Sequence, residues 1–125
     1  MTHKPQRPTW IEIDLDAIAN NVRELRNLIG TSRRLMSVVK ANAYGHGLTR
    51  VAKTALYSGA DCLAVATLPE ALELRQADID APILVLGYTS PDTALLAIEN
   101  DITLTLFDLD LATAIDNASA ALGLG

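Results

Sequence analysis

The sequence predicts an α/β fold built on a parallel sheet, and three observations lead there. Short apolar runs alternate with segments of helical periodicity, the rhythm of βαβ units. Two of those runs, Val38-Val39 and Ile83 to Leu86, lack polar alternation, as strands covered on both faces do. The 125 residues are 50% hydrophobic but only 4% aromatic, which calls for a core of Leu, Ile, Val and Ala.

The first element is Trp10-Ile11-Glu12-Ile13-Asp14, which alternates apolar and polar residues and reads as a half-buried strand. Asp14 or Asp16 then caps a helix with Ile18, Val22, Leu25 and Ile29 at helical spacing, ended by Gly30. A second strand, Leu35 to Val39, leads into a glycine-containing loop from Ala41 to Gly47. The next helix runs from about Leu48 to Ser58, with Val51, Ala52, Ala55 and Leu56 on one face. Cys62 to Ala66 is a short apolar strand. Thr67-Leu68-Pro69-Glu70 starts a helix: Thr at the cap, Pro in the first turn, Glu three residues after the cap. Ile83 to Leu86 is the next strand, and Ser90-Pro91 caps a helix reaching about Glu99. Thr103 to Leu106 is the last strand, before a helix from about Leu109 with Ile115, Ala118 and Leu122 on its apolar side. A doubly wound open sheet and a (β/α)8 barrel both fit this order; a whole barrel needs about 200 residues or more.

Composition narrows the function. A net charge of -5 and a pI of about 4.8 argue against nucleic acid as a partner. Nine of the ten Lys and Arg precede Asp61, and eleven acids face the single Arg75 from there on. Either helix surfaces simply differ in charge, or the first half faces an anion. The lone Cys62 sits in an apolar run and reads as a small buried hydrophobe in a reducing compartment. No apolar signal-peptide core comes after the charged N-terminal residues, and no apolar run approaches the ~18 residues of a membrane span. The expectation is a soluble, cytoplasmic protein with a disordered tail over 1–9.

The informative segment is Ser37-Val38-Val39-Lys40-Ala41-Asn42-Ala43-Tyr44-Gly45-His46-Gly47. Lys40 ends an apolar strand, and in parallel α/β folds the C-terminal strand edge is where ligands and catalytic groups collect. Beside Val38 and Val39 its amine loses part of its solvation, which favours a nucleophile able to form a Schiff base with an aldehyde cofactor. Pyridoxal 5′-phosphate is the common one. Gly45 and Gly47 allow a sharp turn, and the helix start beyond them suits an anion. No metal site is read from the chain.

Val38 to Gly47 resembles the cofactor-attachment motif of alanine racemases. Trp10 to Ile18 resembles that family's opening strand and helix, Leu63 to Arg75 is similar to its next βα unit, and Ile83 to Gly87 to the strand after it. The likeness runs from Trp10 to Phe107. It implies a partial (β/α)8 barrel of about four βα units preceded by one extra N-terminal strand. Residues 10–125 would be the N-terminal part of a pyridoxal-phosphate-binding barrel domain. The rest of the barrel, and a mostly β domain that pairs with the extra strand, would lie beyond.

The resemblance further implies an isomerase: a cytoplasmic homodimer that interconverts L-alanine and D-alanine and supplies D-alanine for peptidoglycan. Lys40 would carry the cofactor and act as the base for the Cα proton. Tyr44 would hydrogen-bond the cofactor phosphate, and Val38 and Leu86 would pack near its pyridine ring. His46 receives no chemical step. The family's opposing base is a tyrosine from the partner subunit, so the 125 residues alone are expected to be inactive. Serine or broad-specificity racemases share the motif. A non-catalytic pyridoxal-phosphate carrier and a decarboxylase of the same barrel type share a strand-end lysine but not the Tyr44-Gly45-His46-Gly47 loop.

Overall fold

Four strands lie parallel in chain order, β1 (Met36–Val38), β2 (Cys62–Val65), β3 (Ile83–Val85) and β4 (Thr103–Leu104). A computed structural model describes residues 7–124 of the chain; most of the expected 1–9 tail lies outside them. In register, Val38 stands beside Ala64, Ala64 beside Leu84, and Leu84 beside Thr103. The strands are shorter than the apolar runs that announce them. Single bonds continue the ladder past their ends: Val39 N–H to Ala64 O at 2.8 Å, Leu86 N–H to Val65 O at 2.8 Å and Thr105 N–H to Val85 O at 3.3 Å.

Helices connect the strands. Helix α1 (Leu15–Ile29) begins at Asp14, whose carboxylate accepts the Ala17 amide at 3.0 Å. The segment α2 (Lys40–Tyr44) is a short turn of unusual hand. Helix α3 (Leu48–Ser58) packs on α1 and buries Val51, Ala52 and Ala55. Helix α4 (Leu68–Gln76) carries the expected reciprocal cap between Thr67 and Glu70. Ser90-Pro91 opens on a 3-10 turn (Pro91–Thr93) before α5 (Ala94–Glu99), with no bond from the Ser90 hydroxyl to the helix end. Asp108 caps α6 (Leu109–Leu122) by accepting the Leu111 amide at 2.9 Å, and Leu111 is that helix's buried residue.

The core lies between the sheet and its helices. Val39, Leu63, Val65, Ile83 and Val85 point there and meet Val51, Leu68, Ala71, Leu74 and Ile79. The opposite face carries Met36, Val38, Leu84 and Leu86 by alternation, and it is open: Val38 is 42% exposed and Leu86 38%. The reading of these runs as covered on both faces is therefore corrected. Their helix-facing residues are buried, but no helix among the described residues stands over the other side. Cys62 is buried as expected.

Two further expectations change. Trp10 to Asp14 forms no strand, and Trp10 and Ile11 are exposed, because no backbone among the described residues lies beside them to complete a ladder. Leu25 is 51% exposed. The inward place one residue on belongs to Arg26, which donates to Gly59 O at 2.9 and 2.7 Å, Gly30 O at 3.0 Å and Arg33 O at 2.7 Å. It also pairs with Asp61, whose carboxyl the Leu35 amide and the Arg26 guanidinium hold below its ordinary range. Periodicity identifies apolar stripes; it does not foresee a guanidinium gathering loop carbonyls.

At the end of β3, a Cβ on Gly87 would stand 2.4 Å from Ala66 O, the acceptor of the Gly87 amide at 3.0 Å. Backbone cannot yield as a side-chain tip does. Gly87→Ala is expected to destabilise the complete polypeptide by about 1–3 kcal/mol, as overpacking does. Urea unfolding measures this; an unchanged midpoint would show that the β2 and β3 ends part freely.

Candidate active site

Lys40 lies just past β1, at the C-terminal edge of the sheet, and its side chain is half-buried. Alternation along the strand puts Met36 and Val38 on the open face, and Lys40 follows past Val39, whose ψ of 22° ends the extended backbone. Leu86 stands on the same face, one residue past β3, and the small Ala64 of the intervening β2 separates the two sides. Val38 and Leu86 thus lie on the open face near the C-terminal edge, with β2 between them, and Lys40 lies at the same edge. Tyr44 lies four residues further on and is 61% exposed.

The segment after Lys40 departs from the glycine loop that the sequence suggests. Ala41, Asn42, Ala43 and Tyr44 all have positive φ, between 52° and 56°, and wind a left-handed turn. Each such residue costs roughly 1–2 kcal/mol for an ordinary L side chain, so the turn exists only because its surroundings hold it. The Ala43 amide bonds Val39 O at 2.8 Å and the Gly47 amide bonds Asn42 O at 3.0 Å. His46 Nδ1, 2.9 Å from Ala43 O, donates to that carbonyl and so braces the turn. Asn42 Oδ1 accepts the Leu48 amide at 2.8 Å. This caps α3, whose own cap residue Gly47 has no side chain, and it occupies the first amide expected to face an anion.

Glu70 is the residue that sequence reasoning saw only in part. Its capping role on α4 was legible from Thr67-Leu68-Pro69-Glu70. Its other oxygen reaches across 29 residues to accept the Ala41 amide at 2.8 Å, a contact without a local signal.

The fold and this edge define a class: part of a parallel β/α barrel with an amine-bearing lysine at the end of a strand. Comparison with known proteins narrows it. The family described as alanine racemase, N-terminal domain, matches residues 13–124, and the chain belongs to that family. The alanine racemase of Methanococcus maripaludis is 52% identical over 116 residues, which cover 93% of this chain and 31% of that protein. The structure of the Bacillus anthracis alanine racemase with bound L-Ala-P matches with a TM-score of 0.82 at 48% identity, covering 94% of this chain and 30% of that one. The Clostridium difficile alanine racemase gives a TM-score of 0.89 at 42% identity, covering 96% and 32%. The chain therefore spans about a third of the length of the relatives it matches. Its four parallel strands correspond to the N-terminal part of their barrel domain.

Proposed function

We propose that the complete polypeptide containing this chain interconverts L-alanine and D-alanine with pyridoxal 5′-phosphate, and that Lys40 is the residue at its centre. The observation that supports this most is the place of Lys40: a half-buried amine at the C-terminal edge of β1, beside a strained turn. Among the described residues the other lysine is Lys53, exposed on α3. The donor set suits the cofactor: a primary amine for an aldehyde, a tyrosine hydroxyl for a phosphate, and the apolar side chains of Val38 and Leu86 for a ring.

Pyridoxal phosphate, when bound, supplies an electron sink that stabilises the charge left on Cα when its proton departs. Lys40 holds the cofactor through Nζ and moves the Cα proton on one face of the substrate. Tyr44 orients the phosphate through its hydroxyl. Val38 and Leu86 pack against the ring and exclude water from that side. Inversion also needs a proton carrier on the opposite face. In the homodimer that the family resemblance implies, the partner subunit supplies it. Such an enzyme works in the cytoplasm and feeds D-alanine to peptidoglycan synthesis. The L-Ala-P bound by the Bacillus anthracis relative favours alanine over serine as substrate.

The test is borohydride reduction of the complete, cofactor-loaded polypeptide, then peptide mapping and an assay of alanine interconversion. Label on Lys40 together with racemisation is expected. Label on Lys53, or turnover that persists after the cofactor is removed, would refute the assignment.

A further inference from the structure

The Glu70 carboxylate joins two parts of the chain that local capping does not connect. One oxygen, Oε2, accepts the Ala66 amide at 2.8 Å and the Thr67 amide at 3.4 Å, both at the start of α4. The other, Oε1, accepts the Ala41 amide at 2.8 Å. That amide belongs to the rigid peptide plane that begins at the Lys40 carbonyl, so holding it fixes ψ of Lys40. On the other side of Lys40, the Val39 amide is held by Ala64 O at 2.8 Å. Lys40 is thus clipped at both flanks to one short stretch, the end of β2 and the start of α4. The Ala41 clip is also the entry to four consecutive left-handed residues.

We propose that Glu70 is a positioning residue for Lys40. By anchoring the Ala41 amide it sets the backbone from which the lysine side chain leaves, and it stabilises the first residue of the strained turn. The inference rests on the proposal that Lys40 carries the cofactor. It assigns Glu70 no contact with substrate or cofactor. A carboxylate is required because both oxygens accept. A carboxamide in its place has one acceptor and must turn its NH2 toward either the Ala41 or the Ala66 amide. Aspartate, one methylene shorter, serves the α4 arm or the Ala41 arm but does not span both.

The experiment compares Glu70→Gln, Glu70→Ala and Thr67→Ala in the complete holoenzyme. Thr67→Ala removes the hydroxyl that caps α4 and leaves the Ala41 contact intact, so it reports the cost of the cap alone. Four readouts are taken for each: kcat, KM for alanine, retention of pyridoxal phosphate on dilution, and hydrogen exchange of the peptide spanning Lys40 to Tyr44. The expected result for Glu70→Gln is a fall in kcat of about 10- to 100-fold with little change in KM, the scale of an ångström of misplacement. Faster cofactor loss and faster exchange in the Lys40–Tyr44 peptide are expected with it. Thr67→Ala is expected to lower thermal stability while leaving kcat, retention and exchange near wild type. Equal behaviour of Glu70→Ala and Thr67→Ala would overturn the proposal and leave Glu70 as a helix cap only. Where Glu70→Gln does not fold or keeps its one acceptor on the Ala41 amide, Glu70→Ala decides: it removes both arms, and wild-type kcat and exchange in it would overturn the proposal. Lys40→Ala is the separate control on the role of the lysine itself. If it retained the visible absorption of bound cofactor, the role of Lys40 would fall; if it lost that absorption while the Glu70 variants behaved like Thr67→Ala, only the positioning role would.

Discussion

Lys40→Ala in the complete polypeptide is expected to abolish measurable racemisation and the visible absorption of tightly bound pyridoxal phosphate. Two losses combine. Removing a general base typically costs ~10²–10⁴-fold in rate. Removing the amine also takes away the covalent hold on the cofactor, which apolar contact with Val38 and Leu86 and one tyrosine hydroxyl do not replace. Lys40→Arg is the sharper variant. It keeps a cation of similar reach on the same strand edge, but a guanidinium stays protonated and forms no Schiff base. It should therefore fold like wild type, since Lys40 is only half-buried at the sheet's edge, and it should be as inactive as Lys40→Ala. Steady-state alanine interconversion, an absorbance spectrum and a thermal melt decide this. Turnover within about tenfold of wild type in Lys40→Arg would move the chemistry to another residue.

Much of this architecture was legible because it is local. Thr67 and Glu70 are three residues apart, so their reciprocal cap is written in one turn of chain. The cap at Asp14 and the bounds of α3 likewise depend on near neighbours. The strands announced themselves as apolar runs, and the helices between them implied their parallel order. The hidden features depend on distant partners. Trp10 to Asp14 has a strand's alternation, but a strand is completed by a neighbouring backbone. Leu25 has the spacing of a core residue, yet the place beside it goes to Arg26 and the carbonyls it gathers. The left-handed turn is the clearest case. Of Ala41, Asn42, Ala43 and Tyr44, only Asn tolerates positive φ with any ease. The conformation is imposed by Val39, by His46 and by a glutamate 29 residues away. For the same reason the motif announced Lys40 but not the residue that holds its backbone.

A polypeptide made as residues 1–125 alone is expected to show no alanine racemisation and to associate with itself. The chemical reason is the number of proton carriers. Inversion takes a proton from one face of Cα and delivers one to the other, and the proposed mechanism draws only one of the two carriers, Lys40, from these residues. Added cofactor does not help, because pyridoxal phosphate stabilises charge on Cα but does not choose the face on which the proton returns. The physical reason lies in the sheet. In the order β1-β2-β3-β4, both β1 and β4 are edges, with unpaired amides and carbonyls along one side. Next to them the open face presents Met36, Val38 and Leu86, each exposed. Unpaired strand edges beside apolar side chains recruit other chains, and a contiguous apolar patch of more than a few hundred Å² is uncommon on a soluble monomer. The charge of -5 favours solubility, but it repels least where the side chains carry none, along that face. Light scattering of purified residues 1–125 should report dimers or larger species, and an assay with added pyridoxal phosphate should report background. Two copies that met face to face would cover the apolar side chains and still bring only a second Lys40. A monodisperse monomer, or turnover above background, would show that four strands and one lysine suffice for what the rest of the polypeptide is proposed to supply.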